Sequence, residues 1–466
     1  MRFIGRERDM AFFEGCYERP EAQLVVLYGR RRVGKTELLR RFAEGRPAVW
    51  YTCTKDPDAL QLRAFSARLL AHDPAAARLV DAFPSWERAF EEVPHLDLPG
   101  RKLVIIDEFP YAVAGNAALP SILQAVWDQA LSREDVMIVL CGSSMAFMEG
   151  ELLSEKNPLY GRATGVWRME PLGYDEAARF FPDYTPQQRL EAYGILGGVP
   201  HYLNQFDPAL DVAQNVCQNV LARGCPLYVE ADFLLREELR EPATYNAVLG
   251  AVAAGETELN GIAQRALVEP RTANTYLTRL ARLHIVQKEF SVQAGQQERS
   301  KQARGLWRVS DNFVRFWYAA ARPHLSDLEL GDAAGVWEAF VAPDLNRLLS
   351  RSFEDVCLQW ARRQNIAGGL PFRAAMLGRW WRGPEEIDVV GIGEGGTHLL
   401  GECKFQERPV GSAVLHALEG KERRCFSVGE GWLYLFSKSG YAQDGAWASG
   451  PDAGRVRLVG PDELEG

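Results

Sequence analysis

LVVLYGRRRVGKTELLRRFA, residues 24–43, decides the fold. Its first five residues are an uninterrupted apolar run, as in a strand buried on both faces. Residues 34–43 carry apolar side chains at helical spacing, so a helix follows the strand. Between them, Gly29-Arg30-Arg31-Arg32-Val33-Gly34-Lys35-Thr36 fits G-x-x-x-x-G-K-[ST] at every position. The glycines let successive backbone N–H groups curl around a phosphate with no Cβ in the way. Lys35 can reach the outer phosphates of a nucleotide, and the Thr36 hydroxyl can ligate Mg²⁺. A helix beginning at Gly34 turns its positive end on the same anion, with Glu37 next in the segment.

Working outward, strands are predicted at 49–53 (VWYTC), 103–106 (LVII), 136–140 (VMIVL) and 165–169, with helical spacing at 86–92 and 122–131. Strands alternating with helices imply an α/β fold with a parallel sheet covered on both faces. Asp107 and Glu108 follow the strand 103–106. Asp107 is expected to hold Mg²⁺ through water, and Glu108 to orient and deprotonate the water attacking the γ-phosphate. An adjacent glutamate points to hydrolysis rather than transfer to an acceptor; two acids in a solvated turn are the alternative. Ser143 or Ser144, at the end of strand 136–140, could sense the γ-phosphate or simply close the strand in a turn. Arg162 could neutralise transition-state charge or make a structural salt bridge.

The chain has 466 residues, 47% hydrophobic and 25% charged, which is an ordinary globular composition. At roughly 100–200 residues per domain, three or four domains are expected. No apolar run approaches the roughly 20 residues needed to cross a bilayer. The N-terminus, MRFIGRERDMAFF, has charges where a signal peptide has its apolar core, so no membrane contact and a cytoplasmic location are expected. A net charge of −9 excludes an overall basic coat but not a local basic face. The eight cysteines include no C-x-x-C pair, which points to reduced thiols rather than a zinc ribbon or disulfides.

Residues 174–238 read as helical, interrupted at Gly197-Gly198-Val199-Pro200. Three helices (245–253, 259–267, 271–283), a strand (285–289), a polar stretch (291–304) and another strand (305–309) follow in the order of a winged helix. The third helix of such a module normally enters the DNA major groove, and the wing touches backbone. Arg271, Thr272, Asn274, Thr275, Arg279 and Arg282 lie on that helix, and Lys301 and Arg304 on the wing. The aromatic segment 309–318 reads as a packed interdomain helix, with a stacking platform for bases as the alternative, and 323–332 as a loop or linker.

Phe3-Ile4-Gly5-Arg6-Glu7, the GRRRVGKT loop, LVIIDEFPY, LCGSSM, PLYGR and GGVPHYL follow one another in this order. Over about residues 1–320 the chain resembles the archaeal-type P-loop ATPases, AAA+ relatives of the STAND signalling ATPases that also occur in bacteria. The resemblance implies that Gly5 and Arg6 lie near the adenine and that Pro200 senses the bound nucleotide. In such ATPases a winged helix often packs as a regulatory lid, so DNA contact and lid both stay open.

Further on, a helix at 353–363, strands at 386–390 and 398–404, a helix at 412–425 and a strand at 432–437 carry a second constellation. Asp388, then Glu402-Cys403-Lys404, fits D-x(n)-E-x-K. Carboxylates on neighbouring strands can hold Mg²⁺ against a scissile phosphate. The one-residue spacer puts Glu402 and Lys404 on one strand face, where Lys404 can position or help deprotonate a water. Glu354 could add a carboxylate, and Lys421 could face the same site. Residues 325–440 resemble the restriction-endonuclease-like PD-(D/E)xK domain, which could cleave DNA or only bind it. The expected division is therefore an ATPase core (1–169), a helical lid (170–238), a winged helix (239–322) and a nuclease-like domain (323–466). The expected activity is ATP- and Mg²⁺-dependent processing of duplex DNA, by a monomer or a homo-oligomer. The alternatives are a STAND-like switch or a transcriptional regulator whose last domain does not cleave.

Overall fold

The computed structural model describes residues 2–231, 233–234, 242–293, 305–426, 429–443, 447 and 453–465. They group into two compact units, Gly5–Pro171 and Leu172–Gly466 with Met1–Ile4. In the first, the apolar runs become β1 (Gln23–Tyr28), β2 (Ala48–Thr52), β3 (Lys102–Asp107), β4 (Val136–Gly142) and β5 (Gly165–Arg168). They form one sheet in the order β2-β3-β4-β1-β5, with every neighbouring pair parallel. β4 is buried along its whole length because helices cover both faces, as parallel crossovers require. Register aligns Tyr28 with Gly142 and Thr52 with Asp107, so several strands finish at one edge. In such sheets, ligands bind beyond the carboxyl ends of the strands. The first helix after β1, α1 (Lys35–Ala43), has Gly34 as its N-cap residue.

The second unit opens with helices broken at Gly197 and Gly198. Gly197 has a φ of 66°. A Cβ on Gly198 would lie 1.8 Å from the carbonyl oxygen of Leu172, and the Leu172 N–H donates to the Gly198 carbonyl at 2.7 Å. The interruption is thus a close backbone crossing that only glycine permits. α2 (Pro242–Ala253), α3 (Leu259–Ala266) and α4 (Pro270–Arg282) follow, then the antiparallel pair β6 (Val286–Glu289) and β7 (Leu306–Val309). The expected wing residues Lys301 and Arg304, and the expected boundary at 238–239, lie outside the described residues. Residues 323–332, read as a linker, are largely helical: Leu325–Glu329 is a helix with Leu328 fully buried. Leu325 and Leu328 are three apart, so both turn to the same side, into the core.

The C-terminal layer begins with the 23-residue helix α5 (Leu345–Ala367). After it come β8 (Met376–Arg382), β9 (Glu385–Ile392), β10 (His398–Lys404), the helix α6 (Ala413–Cys425), β11 (Gly431–Ser437) and β12 (Val456–Val459). The sheet order is β12-β11-β10-β9-β8. β8, β9 and β10 pair antiparallel, and β10, β11 and β12 parallel, with α6 as the crossover from β10 to β11. β8 and β12 were not expected from the sequence; MLGRWWR has arginines and a glycine where a strand pattern wants apolar residues. One hydrophobic cluster runs through this unit from Leu172 to Leu464 and contains the aromatic pair Phe313 and Trp317.

Candidate functional site

The loop joining β1 to α1 bends at Arg32 (φ 70°) and Gly34 (φ 98°). A Cβ on Gly29 would stand 2.4 Å from the carbonyl oxygen of Met169, so packing requires glycine there. Lys35 is 6% exposed. Its Nζ donates to the carbonyls of Gly29 (2.7 Å) and Arg30 (2.9 Å). Burial pushes the Lys35 amine below its usual range, against the pull of Cys141, Glu108 and Asp107. A desolvated ammonium with neutral carbonyl partners fits an incoming phosphate.

The Thr36 hydroxyl donates to Asp107 Oδ2 at 3.1 Å, and Asp107 Oδ1 accepts from the Glu108 N–H at 3.0 Å. A hydroxyl and a carboxylate side by side suit Mg²⁺, whose other ligands are ordinarily phosphate oxygens and water. Glu108 sits in the left-handed region (φ 54°) and caps the helix Phe109–Gly115. Non-glycine residues held there cluster at functional sites. Both of its carboxylate oxygens accept from Ser143 Oγ at 2.8 Å, and Oε2 also faces the Ser143 N–H at 3.3 Å. The sequence singles out Ser143 by its place at a strand tip, but nothing in it pairs Ser143 with Glu108. Ser144 is half-buried beside it. Cys141 is fully buried, and burial, followed by Asp107, drives its thiol upward.

Gly5 and Arg6 both take positive φ, and Arg6 is buried. Arg6 donates to the Val33 carbonyl (2.8 Å), the Glu170 carbonyl (2.7 Å) and Asp9 (3.2 Å). It therefore braces the phosphate loop through Val33. Arg31 donates to the Tyr111 hydroxyl at 3.0 Å, and Glu37 lies 3.6 Å from Arg41. Arg162 makes a two-point pair with Asp128, at 3.0 and 3.3 Å, and holds that carboxyl below its usual range. Pro200 opens the short helix Pro200–Leu203 in the second unit and is buried.

In the C-terminal layer, Asp388 on β9 and Glu402 and Lys404 on β10 come together. Asp388 Oδ2 accepts from the Cys403 N–H at 2.8 Å. Lys404 Nζ reaches Glu402 Oε1 at 2.7 Å, and Lys421 Nζ reaches Glu402 Oε2 at 2.9 Å. Burial, then Glu354 and Glu402, push the Asp388 carboxyl up to about 7. Burial also raises Glu402, but Lys404 and Lys421 outweigh it and hold that carboxyl below its usual range. Glu354 is engaged by Arg351 (2.7 Å) and Arg379 (3.2 Å). Among the described residues, no three His, Cys, Asp or Glu side chains are grouped to hold a metal ion. Any Mg²⁺ here would rest on Asp388 and Glu402, with the remaining ligands supplied from outside the protein.

A buried ion network, missed by sequence reasoning, lies alongside. Arg379 on β8 donates to Glu289 on β6 (2.8 Å) and to Asp355 on α5 (2.7 Å), besides Glu354. Arg351 and Arg308 converge on the same Glu289, at 2.5 and 2.9 Å. On α4, Ala273, Leu277 and Leu280 face the core, while Arg271, Asn274, Thr275, Arg279 and Arg282 are exposed and Thr272 is half-buried. Arg279 also donates to the Tyr245 hydroxyl at 3.2 Å.

Residues 3–206 match a family model described as an ATPase domain predominantly from Archaea, and 317–421 match one described as archaeal and bacterial proteins of unknown function. An uncharacterised protein of Methanocaldococcus jannaschii is 28% identical over 400 residues, 85% of this chain and 86% of its own length. A shorter match, 43% identical over 44 residues, is to an uncharacterised ATP-binding protein of the same organism; it covers 9% of this chain and 75% of that one. Among solved structures, the Walker-type ATPase of Pyrococcus abyssi superposes with a TM-score of 0.52 at 19% identity. That similarity covers 68% of this chain and 96% of the other.

Proposed function

We propose that the chain binds ATP with Mg²⁺ at residues 29–36 and hydrolyses it, and that nucleotide state governs nucleic-acid handling by its second unit. The observation that carries this reading is the juxtaposition at one sheet edge of Lys35, the Thr36–Asp107 pair and Glu108. Lys35 grips the phosphates, and Thr36 and Asp107 would hold Mg²⁺, which when bound would polarise the phosphoryl oxygens. Glu108, aimed by Ser143, orients and deprotonates the attacking water. Gly5 and Arg6 serve the adenine end, Pro200 responds to the nucleotide, and Arg162 neutralises transition-state charge once it leaves Asp128. The match of residues 3–206 to an ATPase domain supports this reading. Phosphate release from ATP by the wild-type chain tests it, with Lys35→Ala as the control; equal release by both would refute it.

For the second unit we propose a winged helix over 239–322, with α4 facing duplex DNA, and a nuclease-like fold over 323–466. Helix α5, the antiparallel strands β8–β10, and α6 leading to a parallel β11 support that fold. The cutting site is then Asp388, Glu402 and Lys404. A second reading, a non-cleaving switch or regulator, is favoured by the lysines paired to Glu402 and the arginines paired to Glu354. Plasmid and linear DNA incubated with protein, Mg²⁺ and ATP separate the two. Cleavage lost in Lys404→Ala supports the site, while cleavage that survives this change counts against it. No strand scission with any divalent metal leaves the switch.

A further inference from the structure

Beside the ion network, the second unit contains a cavity of about 960 Å³, near the upper end of the roughly 300–1,000 Å³ usual for ligand pockets. Arg265, Arg308, Arg315, Arg322, Arg347 and Arg351 line it. Glu354 and Glu386 are the acids among its described lining residues. One wall, from Gly250 to Gly255, is glycine, alanine and valine, so no long side chain fills the space. That wall is also the C-terminal end of α2, whose carbonyls carry partial negative charge. Six arginines against two lining acids outweigh it.

The arginines are unevenly neutralised: Arg351 pairs with Glu289 and Glu354, and Arg347 with Asp344, whereas Arg315 has Asp355 only at 3.8 Å. Burial lowers the Arg308 and Arg315 guanidiniums and neighbouring Arg351 adds to it, against the pull of Glu289 and Glu386 on Arg308 and of Asp355 on Arg315. Arg308 Nε lies 2.9 Å from Glu289 Oε2 but is not aligned to donate to it. At the rim, Arg265 has its acid, Glu256, at 3.8 Å, and Arg322 lies over the Tyr318 ring at 5.5 Å. A crowd of desolvated like charges is relieved by an anion with several acceptor oxygens, and the guanidinium fork matches phosphate.

We propose that this cavity is a groove for the phosphodiester backbone of a single nucleic-acid strand, leading to Asp388, Glu402 and Lys404. It rests on reading the second unit as a nucleic-acid handler. The carbonyl oxygen of Glu386, a lining residue, accepts from Lys421 Nζ at 2.8 Å, and the same ammonium pairs with Glu402. Glu354, another lining residue, contributes to raising the Asp388 carboxyl. The groove and the carboxylate cluster therefore adjoin through shared residues. A volume of this size accepts a few nucleotides of one strand but not a duplex.

The test is fluorescence anisotropy of a labelled oligothymidylate with the full chain in EDTA, so that cleavage plays no part. Arg308 belongs to the buried network, so the Arg322→Ala/Arg347→Ala double variant, with its melting temperature checked, carries the experiment. Binding is expected to weaken at least about tenfold, and the slope of log K against log salt to shrink by about 1.4, at 0.7 per lost contact. Arg68→Ala/Arg78→Ala, at exposed positions of the first unit, should leave single-strand binding unchanged. Undiminished binding by the groove variant overturns the proposal. So does duplex bound as tightly through the same arginines, or a mononucleotide or inorganic phosphate competing as well as the strand. Arginine-dependent binding by a chain that never cuts DNA sinks the nuclease reading and leaves the groove standing.

Discussion

Ser143 gives its hydroxyl to both oxygens of Glu108 and so holds in place the carboxylate proposed to activate water. Glu108→Gln keeps the shape and the hydrogen bond but removes the base. Hydrolysis should fall by about 10²–10⁴-fold, the usual worth of general-base help. Nucleotide binding should be retained, as equilibrium binding of a fluorescent ATP analogue beside a phosphate-release assay would show. Loss of binding in step with turnover would mean that Glu108 supports the loop instead. Asp388 gives a prediction in pH. Its carboxyl titrates at about 7 in the fold, so the native state holds that proton more tightly than the unfolded chain does. Its contribution to stability is full below the unfolded value near 4 and declines as pH rises toward 7. In EDTA, Asp388→Asn should therefore gain on the wild type across that window, by up to about 4 kcal/mol at pH 8, at about 1.36 kcal/mol for each of about three pH units. Parallel urea curves at pH 5 and 8 would contradict this. Lys35, Thr36, Asp107 and Glu108 were legible because their chemistry is written in contiguous motifs. The Ser143–Glu108 contact was not, because it joins the tips of two strands distant in sequence.

At the level of elements, β8 shows where pattern reading stops. Arg379 is among its most buried residues, and hydrophobic periodicity has no means of marking a buried cation whose partners are Glu289, Glu354 and Asp355. Removing one member of such a network leaves buried charges uncompensated, so Arg379→Met should cost about 3–5 kcal/mol. Burial raises Glu289 and Asp355, but the arginines, Arg379 first, hold both carboxyls below their usual range. That stabilisation is present above the unfolded value and lost as pH falls, so the penalty should be larger at pH 8 than at pH 4, as thermal melts at both would reveal. A penalty independent of pH would point to packing alone. The Gly197-Gly198 interruption was legible as a helix break, but its cause was not. Gly198→Ala drives a Cβ to 1.8 Å from the Leu172 carbonyl, and should destabilise by at least about 1–3 kcal/mol.

For the whole molecule, alternation of strand and helix revealed the parallel sheet but not its order. Periodicity reports which face is buried, whereas β4 lies between β1 and β3 because of how the crossovers return. The division after residue 322 raises a similar question of what folds with what. The helix Pro186–Leu196 meets α5: Gly194 packs on Leu349, and its carbonyl accepts from Ser352 Oγ at 3.1 Å. Gln359 Oε1 accepts from the Tyr174 N–H at 3.0 Å, and Arg363 pairs with Asp175 at 3.0 Å. Trp360, fully buried in the same cluster, would by itself be worth about 3–5 kcal/mol if truncated to alanine. A chain ending at residue 322 would lack α5 and expose this face of the helices from Tyr174 onward. Its residues 172–322 should then lose cooperative unfolding and bind a hydrophobic dye, while nucleotide binding at Lys35 persists. Circular dichroism melts, dye fluorescence and nucleotide titration on the shortened chain check each part. A sharp melt with full helical signal and no dye binding would show that the helices stand without α5, making the boundary at 322 a true domain border.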